Sequence, residues 1–244
     1  MVNGVARSFL RLLVLQGSWT YERLQGLGMA FASVPLLRPL EPDPERHAQA
    51  VARATEYFNA HPYLAGIAVG AAARAEREGV TGATIQRLRT ALSGPLGSLG
   101  DQLFWIGVVP AVVGALLIAI VAGAGLWAVG VGLALYLAVR LLVTQWGLLL
   151  GLKAGLGVSA ALQKSGLADQ ARRVGLLAGL AVGIAFPLVT RWFMPAAGAW
   201  TPWVIGAGAA GGVVAALVRF RVPPARRLTL VAMAVVLLLS WGVG

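Results

Sequence analysis

The chain is 244 residues long, 58% hydrophobic and 12% charged, with 32 glycines, a balance that excludes an ordinary soluble domain and points to helices packed closely in lipid. It has no cysteine, which excludes disulfides, thiolate metal sites and thiol nucleophiles. A formal charge of +11 would suit nucleic acid, but the basic residues fall in alternate loops between apolar runs, where they set membrane orientation, so nucleic acid is not expected as a partner.

In chain order, the apolar stretch Phe9–Leu15 is short and contains Arg11, so it is not expected to be a cleavable signal peptide. Residues 1–100 form a first region in which charged patches alternate with uncharged stretches too short to span a bilayer, notably 24–37, 57–73 and 91–100. Such segments are expected as amphipathic, interfacial or re-entrant helices. Pro39, Pro42 and Pro44 with Glu41, Asp43 and Glu45 make an exposed connector, and Asp43 or Glu45 suits the start of a helix running from near Pro44 to about Phe58. Further helices are expected over Ala71–Glu78 and Thr84–Leu92, with Gly79 and Gly82 as punctuation.

Residues 101–244 form a transmembrane region. From Gln102 to Val139 there are 38 residues without an Asp, Glu, Lys or Arg. As one helix this run would be about 57 Å long, roughly twice the hydrocarbon thickness of a bilayer. Gly123-Ala124-Gly125 therefore reads as a turn between two spans. Basic residues cluster at Arg87 and Arg89, at Lys153, Lys164, Arg172 and Arg173, and at Arg219, Arg221, Arg226 and Arg227, while the turn at 123–125 and the tail after Trp241 have none. With the basic loops inside, five spans are expected at about 102–121, 126–149, 174–190, 203–218 and 228–243, the amino end cytoplasmic and the carboxyl end external. The fold class is thus all-α, a polytopic integral membrane protein. Arg140 interrupts the second span and either faces protein or water or snorkels, and Pro187 either kinks or ends the third.

Three polar clusters carry hydrogen-bonding side chains beside special backbone residues. They are Gln16-Gly17-Ser18-Trp19-Thr20-Tyr21-Glu22-Arg23-Leu24-Gln25-Gly26-Leu27-Gly28, Tyr57-Phe58-Asn59-Ala60-His61-Pro62-Tyr63, and Gly94-Pro95-Leu96-Gly97-Ser98-Leu99-Gly100-Asp101. Their order and spacing, followed by Lys153-Ala154-Gly155, resemble the IID subunit of the mannose-family bacterial sugar phosphotransferase system. That family reads Q-x-S-W-N-Y-E-R-M-Q, F-F-N-T-H-P and G-P-L-A-G-I-G-D at the corresponding places. Thr20, Ala60, Ser98 and Leu99 depart mildly from it, and after the third span only about Arg191–Pro202 stands where the family has a longer external segment.

The resemblance implies a subunit of the bacterial inner membrane that joins a IIC membrane subunit in a hetero-oligomeric permease. It also implies uptake of a hexose coupled to phosphorylation by IIA and IIB phosphocarriers, with the phosphoryl chemistry on those partners and no cofactor or metal on this chain. A non-transporting membrane scaffold or regulator that kept the same fold is the alternative.

As contacts along the substrate path or at the subunit boundary, the sequence offers Gln16, Ser18, Tyr21, Glu22, Arg23, Asn59, His61 and Asp101. Glu22 and Arg23 can bond sugar hydroxyls or pair with each other, and Gln16 can donate and accept at once. Pro62 is expected to end or kink a helix beside His61. Gly94, Pro95, Gly97 and Gly100 are expected to form a flexible or re-entrant turn, with Asp101 facing a cavity, capping the first span or pairing with a base. No metal-ligand spacing, nucleophile with a base, or paired carboxylates placed to act on a bond is found, so no catalytic residue is expected.

Overall fold

The computed structural model describes residues 4–193 and Gly211. Among them every regular element is a helix: α1 (Val5–Leu12), α2 (Gly26–Leu37), α3 (Pro44–Ala54), α4 (Ala65–Arg77), α5 (Gly82–Asp101), α6 (Val109–Val121), α7 (Trp127–Ala154), α8 (Val158–Lys164) and α9 (Leu167–Phe193). The expected spans at 203–218 and 228–243 lie outside the described residues.

Three runs are long and apolar enough to cross a membrane: Gly82–Val121, Trp127–Lys164 and Leu167–Val189. The first two meet at the expected turn, where Gly123 and Gly125 hold φ of 93° and 69°, a region open to glycine at little cost. The third span begins earlier than expected. Leu167 starts α9, so Arg172 and Arg173 ride on its first turns, and Pro187 lies inside the helix rather than ending it.

The expected turn at Gly94–Gly100 is not a loop. The chain is helical through α5 and passes into α6 by a π-helical stretch, Gln102–Val108, which makes one continuous helix of 40 residues from Gly82 to Val121. Glycine and proline lower helix propensity, but tertiary contacts along α5 override that preference. The turn expected to flex is therefore replaced by a π segment just beyond it. Two other helices also differ in extent, since α3 ends at Ala54 rather than Phe58 and α4 begins at Ala65, six residues before the charged stretch that signalled it. The start of α3 is as expected: Asp43 caps it by accepting the Arg46 N–H at 3.0 Å.

The core of the amino-terminal half is α4. It is only 13 residues long and buried nearly all round, from Ala65 through Ala71 without a break. A helix apolar on every side must be enclosed, and α4 is enclosed by α2, α5 and above all α7. Close approach to α7 comes from glycines spaced four apart on both helices, Gly66 and Gly70 on α4 and Gly147 and Gly151 on α7. A Cβ on Gly151 would overlap the Ile67 carbonyl oxygen and sit 2.8 Å from the Ala71 nitrogen. Gly151→Val is accordingly expected to cost about 1–3 kcal/mol by forcing the helices apart. Thermal unfolding of the detergent-solubilised protein measures it, and an unchanged melting temperature would mean that α4 is not seated on α7.

Candidate functional site

The first polar cluster folds as a tight hook. Thr20 and Leu24 exchange backbone hydrogen bonds of 3.3 and 2.8 Å, and Leu24 takes a positive φ of 47° to turn the chain back. The hook is stitched to the second cluster, with the Gln25 N–H donating to the Phe58 carbonyl at 2.9 Å and the Phe58 N–H to that of Arg23 at 3.3 Å. Beside these, the buried Gln25 side chain grips Ala60 at both ends. Its Nε2 donates to the Ala60 carbonyl at 2.6 Å and its Oε1 accepts the Ala60 N–H at 3.1 Å. An amide can do both at once, which satisfies the backbone of a residue that has left the helix.

The helix that carries the third cluster, α5, packs against the second from the other side. Arg89 on α5 is 2% exposed and caps the carboxyl end of α3, donating to the carbonyls of Ala54 and Glu56 at 3.1 Å each and to that of Arg53. A cation on the negative end of a helix is favourable there. One turn on, the Ser93 hydroxyl donates to the Asn59 carbonyl. Gly100 then passes directly under His61, where a Cβ would overlap the Cβ and Cγ of the imidazole side chain. Behind this joint Arg53 reaches Glu76 with two bonds of 2.8 and 2.6 Å, and the bond to that carboxylate holds the guanidinium above its ordinary range despite burial.

His61 is buried at 3% exposure. Its ring stacks on Phe104 at 5.0 Å and 10°, meets Tyr63 edge-on at 4.8 Å, and lies 5.8 Å from Trp105. Phe104 and Trp105 come from the π stretch, a wider turn that puts Phe104 inside and leaves Trp105 exposed. His61 Nδ1 accepts the Tyr63 N–H at 3.3 Å, while its Nε2 is enclosed without a partner. Burial lowers the imidazole pKa, and the Asp101 carboxylate pulls the other way.

Tyr63 extends the cluster to the second span, its hydroxyl 2.7 Å from that of Tyr136. Arg140, one turn further along α7, donates to the Leu13 carbonyl at 2.9 Å with its guanidinium 4.7 Å from the centre of the Tyr63 ring. The charge in the second span therefore faces protein, at the end of α1.

The residues singled out in the sequence separate into an exposed set and a buried joint. Gln16, Ser18, Tyr21, Glu22, Arg23, Asn59 and Asp101 are exposed, as are Gly94 and Pro95. His61 and Gly100 are buried, with Pro62 and Gly97 half-buried. Two local readings need correction. Asp101 does not cap a span, because it lies inside a continuous helix and makes no capping bond. Glu22 and Arg23 do not pair; the ion pairs among the described residues are Arg53–Glu76, Arg74–Glu78 and Arg172–Asp169, and Arg23 instead donates to the Thr55 hydroxyl at 3.0 Å.

Sequence reasoning passed over Gln25, Arg89, Tyr63 and Phe104. Arg89 had a usable signal, since it shares one helical face with Ile85, Leu92 and Leu96. A small cavity beside the joint, lined in part by Ser33, Arg53, Glu76 and Arg89, holds about 10 Å³, room for one water at most and not for a sugar. Among the described residues no three His, Cys, Asp or Glu side chains converge as metal ligands.

Comparison with known proteins places this arrangement. Residues 3–193 match the family model for the mannose/fructose/sorbose-family IID component of the phosphotransferase system. The mannose-specific EIID component of Escherichia coli K12 is 39% identical over 108 residues, 42% of this chain and 38% of that protein, so the match spans less than half the relative's length. The fructose permease IID component of Bacillus subtilis is 28% identical over 75% of this chain and 67% of its own. The cryo-EM structure of the mannose transporter ManYZ with microcin E492 contains a chain that superposes with a TM-score of 0.57 at 30% identity, covering 74% of this chain and 68% of that one.

Proposed function

Because this chain belongs to the mannose/fructose/sorbose family of phosphotransferase IID components, we propose that it forms, with a IIC membrane subunit, the translocation unit for uptake of a hexose. The observation that carries the reading is the convergence of the three polar clusters: Gln25, Arg89 and Gly100 lock them into one rigid joint, and that joint presents Tyr21, Glu22, Arg23, Asn59 and Asp101 outward. Polar side chains held rigidly beside membrane helices face a partner or a water-filled path, since lipid cannot satisfy them. Similarity to a chain of the mannose transporter ManYZ supports a membrane hetero-complex.

In this proposal the phosphoryl group is delivered by IIA and IIB proteins, and this chain supplies surface and path. Residues 101–244 contribute five spans in the bacterial inner membrane, with the amino end cytoplasmic and the carboxyl end external, as the alternation of basic loops favours. Residues 1–100 contribute the joint, short helices enclosed by protein at the membrane's edge, although the helix Gly82–Val121 runs through the boundary between the two regions. Transport moves one block against another, with Pro62 at one hinge. Since the Gly94–Gly100 segment is helical, the π stretch Gln102–Val108, a break in the regular α-helical hydrogen-bond pattern, is the compliant element on that side.

The test is Asp101→Asn together with Tyr21→Ala. Both side chains are exposed and neither is a structural prop, with Tyr21 at 89% exposure. The variants are expected to melt like the parent while losing at least about tenfold in labelled-hexose uptake or in co-purification with IIC, the equivalent of about 1.4 kcal/mol at a contact. Full uptake and full co-purification in both variants would remove this face from the path. An intact IIC complex that never carries sugar, even in the parent chain, would favour the scaffold reading.

A further inference from the structure

The outer face of α1 and the adjoining edge of α2 carry a patch separate from the polar joint. Arg7 and Arg11 are one turn apart on α1, and neither α1 nor α2 contains an acidic residue. Between and below them lie exposed apolar side chains, Leu10 at 62%, Val14 at 59% and Phe31 at 48%. Arg11 is held in place, donating to the Phe31 carbonyl at 2.9 Å with its guanidinium 4.4 Å from the Phe31 ring centre. α1 is itself anchored: the Ser8 hydroxyl donates to the Ala32 carbonyl at 2.7 Å, and Arg140 on the span α7 binds the Leu13 carbonyl at its far end. The carboxyl end of α1 therefore sits against a membrane helix, and Arg7 lies about two turns away from that end.

We propose that this face binds an anionic phospholipid, with Arg7 and Arg11 on the headgroup phosphate and an acyl chain along Leu10, Val14 and Phe31. Basic and apolar side chains alternate along this face, Arg7, Leu10, Arg11 and Val14, so a phosphate and an acyl chain can be held side by side, and neither helix carries an acid to neutralise it. Arg7 has no partner within the described residues, and Arg11 spends only part of its donor set on Phe31, so both can grip a phosphate.

Native mass spectrometry of the full chain in detergent tests this, with titration by a phosphatidylglycerol and by a phosphatidylcholine of the same acyl chains. The parent chain is expected to retain phosphatidylglycerol preferentially. Arg7→Gln is expected to lower that affinity about fivefold, and Arg7→Gln with Arg11→Gln further. Arg7→Lys retains most of the binding, and Lys164→Gln with Arg173→Gln leaves it unchanged. Because Arg7 makes no internal bond, its single variant carries the test even if loss of the Arg11–Phe31 contact weakens the fold. Equal retention of phosphatidylcholine, indifference to Arg7→Gln, or an equal loss in the Lys164/Arg173 variant overturns the proposal. So does competition by free glycerol phosphate alone, which would make the site one for soluble phosphate. Displacement of the lipid when IIC binds would assign the face to that subunit and overturn it as well.

Discussion

Replacing Gln25 by alanine is expected to separate the first polar cluster from the second. The amide side chain satisfies both the N–H and the carbonyl of buried Ala60, through bonds of 3.1 and 2.6 Å. Truncation leaves two enclosed backbone groups without partners, at about 1–3 kcal/mol each. Against a total stability of about 5–15 kcal/mol, that is a large fraction. Gln25→Glu is not a rescue. It keeps an acceptor for the Ala60 N–H but sets a carboxylate against the Ala60 carbonyl in a site with little room for water. Gln16→Ala is the control, because Gln16 belongs to the same hook but is exposed and should be silent in stability. Denaturation in detergent gives the first readout. Co-purification with IIC gives the second, since a loosened hook cannot present Tyr21 and Arg23 at fixed positions. A Gln25→Ala protein as stable as the Gln16→Ala control would show that the hook is held by its backbone bonds to Phe58 and by the Arg23–Thr55 bond, not by the amide.

The turn between the first two spans was readable because lipid imposes a length and forbids charge. The end of α6 and the start of α7 follow from the length of the run without ionisable residues and from Gly123 and Gly125, whose positive φ values mark the turn, whereas the outer limits differ, since the first helix begins at Gly82 and α7 continues to Ala154. The start of α3 was equally legible, because Asp43-Pro44 is a local signal whose chemistry is complete within four residues. The helix through Gly94, Pro95, Gly97 and Gly100 was not, because the reason for those residues is not local. Gly100 is small so that His61 can lie on it, a contact between positions 39 residues apart in the chain. Gln25 was hidden for the same reason, its partner Ala60 being 35 residues away. Within a polar motif every side chain looks like a candidate for ligand contact. Only the fold separates those that face outward, such as Glu22 and Asp101, from those that hold the frame, such as Gln25 and Arg89.

Gly100→Ala tests the other half of the joint. The added methyl has nowhere to go, since its position coincides with the His61 side chain and His61 is stacked on Phe104 at 5.0 Å and enclosed by Tyr63. Either α5 moves away from the second cluster or the imidazole leaves its stack, and overpacking of this kind costs about 1–3 kcal/mol. His61→Gly alone should also destabilise, by leaving a hole beside Phe104. If the two residues are in direct contact, the double variant Gly100→Ala with His61→Gly is less unstable than the sum of the singles, by about 0.5–3 kcal/mol, because glycine at 61 removes both the Cβ and the Cγ that the new methyl would meet. Uptake should follow a different pattern. The double variant regains packing but not the ring that joins Phe104 on the π stretch to Tyr63 and, through Tyr136, to the second span. Recovery of stability without recovery of transport would place His61 in the coupling between the joint and the membrane helices. Strict additivity in stability would mean that Gly100 and His61 do not touch, and the three clusters would then lack the contact on which their assembly into one unit depends.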